Sequence, residues 1–315
     1  MGHGRRPWNR EVPLAGDASY RRYFRVEPAD GGTAVLVRYP PDRLDAFTRD
    51  LEVRAWLAER GLRVPGLLWT DHRRGEALLE DFGDRDAEAG LAGLAPARRL
   101  ERALRLVEPL EILAGLDPSA LPPWNEPLHR ERLLGELLGF ARWFAAGFAG
   151  RGLSPGSRAW LGELAGRVAG HPPRVCHRDY HLNNIHFLPG GVVGVIDFQD
   201  ILVGPDTYDA VSLLRDRAAP DLLGEEDREA WLRDWAGRTG AAPGWEARVV
   251  EVEVQRGLKV LGTFARLCSS GARRYLRWMG PLAARLAPLA EELGAPGELV
   301  RLLLDWSPDG GDHVR

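Results

Sequence analysis

The sequence predicts an α+β fold in which a small lobe rich in β-strands precedes a larger, mainly helical lobe. Short aromatic and β-branched runs are confined to residues 11–82 and to a block at residues 174–198, and Leu- and Ala-rich amphipathic stretches make up most of the remainder. The block at 174–198 also carries most of the polar residues suited to chemistry. The candidate site therefore falls at the start of the helical lobe, and clefts between two such lobes often bind substrates.

Five elements are predicted in the first lobe. Two apolar runs that flank the turn-forming residues Asp30, Gly31 and Gly32 indicate a hairpin. An amphipathic helix follows, and Gly61 is expected to end it. In chain order the elements are strand, strand, helix, strand and strand, over residues 22–26, 34–39, 43–59, 67–69 and 77–79.

The second lobe is predicted to begin with helices and, after a central pair of strands, to be helical from about residue 206 onward. Its first helices are predicted over residues 97–116, 128–150 and 158–170. The predicted lobes span residues 1–83 and 84–315.

The bulk composition is that of an ordinary water-soluble enzyme. The chain has 315 residues, of which 44% are apolar and 28% charged, and its net charge is −3. This charge provides no overall attraction to nucleic acid or to an acidic membrane, and no apolar run approaches the roughly 20 residues of a membrane span. The first residues lack the apolar core of a signal peptide, and the two cysteines form no disulfide framework. We expect a cytoplasmic protein with a small-molecule substrate and no obligate protein partner.

The residues that indicate a reaction are Asp179, Asn184 and Asp197. Phosphoryl transfer from ATP needs a carboxylate that orients the attacking hydroxyl and accepts its proton, and oxygen ligands that hold Mg²⁺ against the phosphates. Asp179 can serve as the carboxylate, and Asn184 with Asp197 can serve as the ligands. Any one of these residues could instead cap a local turn, so the prediction depends on the three together.

A second interpretation of this block is a metal centre built from His177, His181 and His186. It is disfavoured, because no cysteine pair accompanies these histidines and His186 lies in a strand-like run.

The spacing H-x-D-x-x-x-x-N from His177 to Asn184, followed by the triplet Ile196-Asp197-Phe198, resembles the aminoglycoside phosphotransferase-like kinases, relatives of the protein kinases. The resemblance covers nearly the whole chain. Three stretches are similar more specifically to the bacterial cell-wall amino-sugar kinases: residues 16–26, 194–216 and 255–267. The resemblance implies a bilobal protein-kinase-like fold, ATP and Mg²⁺ as cofactors, and phosphorylation of the anomeric hydroxyl of N-acetylmuramate and/or N-acetylglucosamine in peptidoglycan recycling.

By this resemblance Asp179 is the catalytic base, and Asn184 and Asp197 are the magnesium ligands. Arg178 and Asp209 are expected to support the loop around the base rather than to take part in the reaction.

The resemblance also assigns nucleotide-binding residues to the first lobe. The loop that contains Ala18 and Ser19 would cover the phosphates of ATP, mainly through backbone N–H groups. The segment with Glu80 and Phe82 resembles the linker whose backbone binds adenine. Each of these segments could instead be a plain turn or strand end.

The chain departs from the protein-kinase pattern because Lys259 is its only lysine, so no lysine can bind phosphate from the third strand. Arg38 occupies a suitable strand position and Glu52 a suitable helix position for a substitute pair, since arginine can contact phosphate through two N–H groups. Arg38 could equally be a solvated charge on an edge strand.

The acceptor side is expected to be basic. Residues 251–278 hold two acids and six bases, which suits a neutral or anionic acceptor such as N-acetylmuramate better than a polycationic antibiotic. Arg256, Lys259 and Phe264 are the candidate acceptor-binding residues, with Lys259 expected to bind the lactyl carboxylate. The alternatives are a kinase of another small alcohol such as choline or homoserine, an aminoglycoside kinase, and an inactive kinase-fold binding protein.

Overall fold

The computed structural model describes residues 8–14, 20–29, 31–215 and 219–306. The contacts between residues divide the chain into two compact units: unit 1 comprises Met1–Leu113 with His181–Ile201, and unit 2 comprises Ala114–Tyr180 with Leu202–Arg315. Residues 84–113 and 181–201 thus group with the N-terminal strands. The functional boundary between residues 83 and 84 stays a prediction.

Within the described residues, five strands form the antiparallel sheet of unit 1, in the order β1-β2-β3-β5-β4. The strands are β1 (Trp8–Pro13), β2 (Arg22–Pro28), β3 (Ala34–Arg38), β4 (Leu67–Asp71) and β5 (Glu76–Glu80). The four predicted strands are confirmed. The sequence pattern does not predict β1, because this strand buries only Trp8 and so lacks alternating apolar residues. The Trp8 ring anchors it edge-on against Trp69 at 5.3 Å.

The sheet buries apolar side chains on both faces, as the alternation of side chains along a strand requires. Ala34 and Leu36 of β3 lie in one core cluster with Trp8. Val37 lies in a second cluster with Phe47, on the predicted helix α1 (Leu44–Glu59). The helix therefore covers one face of the sheet. This packing fixes the position of α1 relative to β3.

The other α-helices and strands among the described residues of unit 1 are three helices and a strand pair. They are α2 (Ala87–Leu91), α3 (Pro96–Leu104), α4 (Glu108–Ala114), β7 (Ile185–Phe187) and β8 (Val193–Val195). The prediction of one helix over 97–116 is wrong, since a 3₁₀ turn at Arg105–Val107 divides it. Pro109 explains the division, because it has no N–H to donate to the carbonyl of Arg105 and its ring clashes with that carbonyl.

Unit 2 is mainly helical, as predicted. Its helices are α5 (Arg130–Phe140), which continues into a π-helical segment (Ala141–Phe148), α6 (Pro155–Ala169), α7 (Tyr208–Arg215), α8 (Ala219–Leu222), α9 (Glu225–Thr239), α10 (Trp245–Ser269), α11 (Leu276–Glu292) and α12 (Gly297–Asp305). Strands β6 (Pro173–Cys176) and β9 (Leu202–Pro205) pair antiparallel. In the described ranges, no helix is both long and apolar enough to cross a membrane.

Helix α10 passes so close to α5 that no side chain fits at Gly262. A Cβ atom there would lie 2.6 Å from the backbone nitrogen of Phe140 and 2.8 Å from its Cα. We predict that Gly262→Ala lowers the free energy of unfolding by about 1–3 kcal/mol, because backbone cannot move aside as a side chain can. Chemical denaturation measures the change.

Gly135 provides the matched control on α5. It is exposed, and a Cβ there meets nothing within 4 Å. Gly135→Ala should raise the free energy of unfolding by about 0.5–1 kcal/mol, because alanine favours the helix over glycine. Equal stabilisation by both substitutions would contradict the close approach.

Candidate active site

Asp209, on α7, fixes the backbone just before Asp179. Its carboxylate accepts hydrogen bonds from the backbone N–H of His177 at 2.6 Å and of Arg178 at 2.9 Å. Arg178 has φ 77°, a left-handed conformation that costs a non-glycine residue free energy and persists only where its surroundings impose it. Burial raises the pKa of Asp209, while His177 and the two N–H donors oppose that rise. One buried carboxylate therefore holds the strained turn that leads into Asp179.

Asp179 is half-buried among cations of its own unit. Burial alone would raise its pKa, but the nearby positive charges outweigh burial and hold the pKa of Asp179 below its ordinary value. In order of effect, the groups that lower the pKa of Asp179 are Lys259, Arg256, Arg178 and His177. Asp179 is therefore ionised at neutral pH and available to accept a proton.

Arg256 links α10 to the same loop. Its guanidinium donates to the backbone oxygen of Arg178 at 3.3 Å and to the hydroxyl of Tyr208 at 3.1 Å, and it is buried. Arg178 Nη2 lies 3.7 Å from Glu136 Oε1 of α5. These contacts give Arg178, Arg256 and Asp209 a common part in supporting the loop, and acceptor binding by Arg256 stays a prediction.

Phe264 packs into an aromatic cluster. Its buried ring stacks on Tyr275 with centroids 5.0 Å apart and lies 6.0 Å from the ring of Trp278. Trp278 is half-buried, and the guanidinium of Arg277 lies 4.1 Å from its ring centroid. Contact between Phe264 and an acceptor stays a prediction, since its ring already has protein partners.

The two candidate magnesium ligands lie together in unit 1. Asn184 precedes β7 and is buried, and its backbone oxygen accepts the N–H of Ile196 at 2.9 Å, so the strand pair brings Asp197 beside it. Asp197 has φ 61°; Arg178 is the one other non-glycine residue with positive φ in the described chain. Left-handed backbone at such positions is typical of functional sites.

The oxygens of Asp197 are suited to a hard metal ion. Oδ1 accepts from Gln199 Nε2 at 2.9 Å and from Arg21 Nη2 at 3.4 Å. The side chain is 40% exposed. A carboxylate and an amide oxygen are ligands that Mg²⁺ prefers, and two protein ligands suffice where phosphates and water complete the shell. Among the described residues there is no group of three or more His, Cys, Asp or Glu side chains that could hold a metal without substrate.

A cavity of about 480 Å³ lies between the end of β5 and the β7–β8 pair, wholly within unit 1. Its lining consists of Arg63, Glu80, Asp81, Phe82, Gly83, Leu188, Pro189 and Val192. The Glu80 carboxylate is occupied by Arg63 and by the backbone N–H of Gly66 at 3.1 Å, and the hydrogen bond from Arg63 lowers the pKa of Glu80. Any contact of Glu80 with a nucleotide would therefore be through its backbone.

Phe82 forms an apolar wall of this cavity. A Cβ at Gly194 of β8 would lie 2.6 Å from Phe82 Cε2, so only glycine leaves room for the ring there. The Arg63 guanidinium lies over the same ring, 4.9 Å from its centroid. The size and mixed lining are those of small-molecule sites, and Glu80 and Phe82 both line it as their predicted role requires.

The predicted pair of Arg38 with Glu52 is wrong. Arg38 Nε lies 2.6 Å from Glu76 Oε1, directly opposite on β5, and Arg38 Nη2 lies 3.1 Å from Glu11 Oε1. The first is a cross-strand pair between neighbouring strands, and the second reaches past β2 to β1. The Glu52 side chain is exposed on α1. The other predicted phosphate-binding residues, Ala18 and Ser19, lie outside the described residues.

Arg21 and Asp50 are the residues at this site that the sequence pattern does not predict. Arg21 contacts Asp197, and Asp50 of α1 lies 3.6 Å from Arg21. The presence of a buried arginine could have been predicted in part. A chain without lysine before residue 259 must use arginine for a buried, permanently charged cation in unit 1. Which arginine it uses depends on contacts between residues 176 positions apart.

Comparisons with known proteins identify the family of the chain. The family model described as "Phosphotransferase enzyme family" matches residues 11–247. The chain belongs to the phosphotransferase enzyme family. The N-acetylmuramate/N-acetylglucosamine kinase of Pseudomonas aeruginosa is 33% identical over 310 residues, which cover 92% of this chain and 88% of that protein. The protein of the same name from Neisseria meningitidis serogroup B is 32% identical over 309 residues, 91% of this chain and 89% of that one. The predicted resemblance is confirmed.

Solved structures show the same fold. A choline kinase from Streptococcus pneumoniae has a TM-score of 0.60 at 12% identity, with 89% of this chain and 95% of that chain covered. An aminoglycoside-3'-phosphotransferase of type VIII has a TM-score of 0.56 at 22% identity, with 77% and 91% covered. The predicted kinase-like α+β fold is confirmed.

Lys259→Met should raise the pKa of Asp179, since Lys259 is the largest of the charges that lower it. The acidic limb of the kcat/KM profile should then move to higher pH, because Asp179 accepts a proton only when ionised. By linkage, a carboxylate with a lowered folded pKa adds stability above its unfolded pKa, and this stability is lost as pH falls through the folded pKa. Lys259→Met should therefore lose part of the stability that Asp179 contributes at neutral pH.

The control is Arg266→Met, which removes an exposed cation from the same helix. Activity and stability measured from pH 4 to 8 should be unchanged in this control. If Lys259→Met left the acidic limb of the kcat/KM profile at its wild-type pH, the predicted effect of Lys259 on the pKa of Asp179 would be contradicted.

Proposed function

We propose that this protein is an ATP-dependent kinase that phosphorylates the anomeric hydroxyl of N-acetylmuramate and N-acetylglucosamine in peptidoglycan recycling. The observation that carries the proposal is Asp179, a carboxylate whose pKa the nearby cations hold below its ordinary value, on a loop held by Asp209. The relatives named for these two sugars match about nine-tenths of the chain and support the choice of acceptor. Because ATP is a cytoplasmic substrate, we also propose a cytoplasmic location.

The proposed reaction assigns one task to each group. Asp179 accepts the proton of the attacking hydroxyl as the oxygen bonds to the γ-phosphorus and the bond to ADP breaks. Asn184 and Asp197 would hold Mg²⁺, which neutralises the charge of the phosphates when bound. The cavity beside Phe82 would take the adenine ring, with hydrogen bonds from the backbone of residues 80–83.

The charges near Asp179 favour an acceptor that is neutral or anionic. Lys259 and Arg256 both act on the base from α10, so a polycationic aminoglycoside or a choline would meet like charge beside its reacting hydroxyl. N-acetylmuramate carries a carboxylate that Lys259 could bind, and N-acetylglucosamine is neutral. The inactive-binder alternative is disfavoured, because the base and both candidate ligands are present.

Asp179→Asn should lower turnover of both sugars by about 10²–10⁴-fold and leave ADP affinity unchanged, since a general base contributes to the proton transfer and not to nucleotide binding. Asp197→Ala should instead lose the part of ADP affinity that depends on Mg²⁺. ADP release in the presence of each sugar measures turnover, and calorimetry with Mg²⁺ or EDTA measures binding.

Asp200→Asn is the control, a neighbouring acid to which no catalytic or binding role is assigned. Its turnover should stay within about twofold of wild type. A wild-type protein that released no sugar-dependent ADP would refute the proposed acceptors, and full turnover by Asp179→Asn would refute the base.

A further inference from the structure

Arg178, the residue before Asp179, contacts three helices of its own unit. Its backbone N–H donates to Asp209 of α7 at 2.9 Å, and its backbone oxygen accepts from Arg256 of α10 at 3.3 Å. The third contact is made by its side chain, whose Nη2 lies 3.7 Å from Oε1 of Glu136 on α5. The first two contacts hold the backbone of the loop, and the third restrains the guanidinium.

The backbone of Arg178 has a conformation that a glycine would adopt with less strain. Its φ of 77° is readily accessible to glycine, whereas a residue with a Cβ is destabilised there and persists only where its surroundings impose the conformation. The contacts with Asp209 and Arg256 use backbone atoms, which a glycine also has. They do not require a side chain at this position, and the contact with Glu136 does.

Glu136 is fixed between two helices. Its Oε2 accepts a hydrogen bond from Nε2 of Gln255 on α10 at 3.1 Å, and Gln255 is completely buried. One turn further along α5, Phe140 lies against Gly262, where α10 leaves no room for a Cβ. Gln255 and Gly262 are seven residues apart and therefore lie on one face of α10. Glu136 thus contacts Arg178 from a position that the packing of α5 on α10 determines.

The ion pair between Glu136 and Arg178 is largely shielded from water. The two side chains are 13% and 22% exposed, and 3.7 Å is the separation of an ion pair rather than of a direct hydrogen bond. Fully exposed pairs of this kind contribute little, but mostly buried charges are screened much less. The pair can therefore restrain the guanidinium, which belongs to the residue next to the proposed base.

We propose that Glu136 is a positioning residue for Asp179. With Gln255 as its anchor, it restrains the side chain of Arg178 and thereby the strained turn that presents the base. The inference rests on the proposed function in taking Asp179 as the base. In this role Glu136 acts through Arg178 and not on the substrate.

A cycle of variants tests the proposal by turnover. Glu136→Gln removes the charge and keeps the shape, and it should lower kcat for both sugars about threefold to hundredfold, the range that coupling between contacting residues implies. Arg178→Met should lower kcat at least as much, and Glu136→Gln should add nothing to it, because Glu136 acts through Arg178. ADP affinity should change less than about twofold in either variant, since nucleotide binding is assigned to other residues.

Two further variants separate the side chain of Arg178 from its backbone. Arg178→Gly allows the observed φ without strain and loses only the side chain, so it should lower kcat as Arg178→Met does. Arg178→Lys keeps the charge, so it should retain part of kcat and stay sensitive to Glu136→Gln.

Glu131→Gln is the matched control, because it removes an exposed carboxylate from the same helix. Its kcat should stay within about twofold of wild type. Gln255→Met tests the anchor of Glu136. Oε1 of Gln255 is buried and has no hydrogen-bond partner among the described residues, so its removal leaves no other group unpaired. This variant should lower kcat by less than Glu136→Gln does.

Amide hydrogen exchange tests the same restraint without turnover. The N–H groups of His177 and Arg178 donate to Asp209, so their exchange requires the turn to open. In Glu136→Gln the segment 176–180 should exchange about threefold to hundredfold faster than in wild type, and in the control variant at the wild-type rate. A wild-type protein that phosphorylates neither sugar would refute the proposed acceptors, and this measurement would still decide the role of Glu136.

Three results would overturn the inference: unchanged kcat and exchange in Glu136→Gln, losses in Glu136→Gln and Arg178→Met that simply add, or an Arg178→Gly variant as active as wild type. An equal loss of kcat and ADP affinity would also contradict it, because Glu136 would then support the fold as a whole. Circular dichroism checks folding, and Glu136→Met replaces Glu136→Gln in the same measurements should the glutamine variant not fold.

Discussion

The position of Asp179, the proposed catalytic base, depends on the buried carboxylate of Asp209. It accepts the backbone N–H groups of His177 and Arg178, and without it two buried donors would each lose a partner at a cost of about 1–3 kcal/mol. The same contact maintains the left-handed backbone of Arg178, the residue next to Asp179. Because α7 and α10 meet through Tyr208 and Arg256, the helical core of unit 2 sets the geometry of the base.

The two compact units carry different parts of the proposed chemistry. Unit 1 holds the cavity beside Phe82 and the candidate ligands Asn184 and Asp197, which are proposed to bind a nucleotide with its metal ion. Unit 2 holds Asp179 and the cations of α10, which are proposed to act on an acceptor hydroxyl. The chain passes from one unit to the other between residues 180 and 181. This explains why one short motif contains residues of both kinds.

Local patterns predicted most of the fold, and long-range contacts account for what they missed. The hairpin, α1 and the long helices follow from alternation and helical spacing, which are properties of neighbouring residues. Strand β1 has one buried residue, and β9 is four residues long and pairs with a distant strand, so neither has a usable pattern. The turn before Pro109 could have been predicted from the sequence, because proline alone accounts for it.

The site divides in the same way. Asp179, Asn184 and Asp197 stand within 19 residues and have a recognisable spacing. The partners of Arg38 and Arg21 could not be predicted, since they depend on which strands are neighbours and on which helix position faces the sheet. Arg38 lies opposite Glu76 through the β3–β5 register, and Arg21 reaches Asp50 rather than Glu52. Two positions along a helix change the direction of a side chain by about 200°.

The most direct test of the proposed function is the identity of the product. N-acetylglucosamine and N-acetylmuramate, each with ATP and Mg²⁺, should give a product whose anomeric proton is coupled to phosphorus in ¹H and ³¹P NMR spectra. The methyl glycoside of N-acetylglucosamine has no free anomeric hydroxyl and should give no product. A 6-phosphate from the free sugars, or efficient phosphorylation of the methyl glycoside, would contradict the assignment to the anomeric hydroxyl.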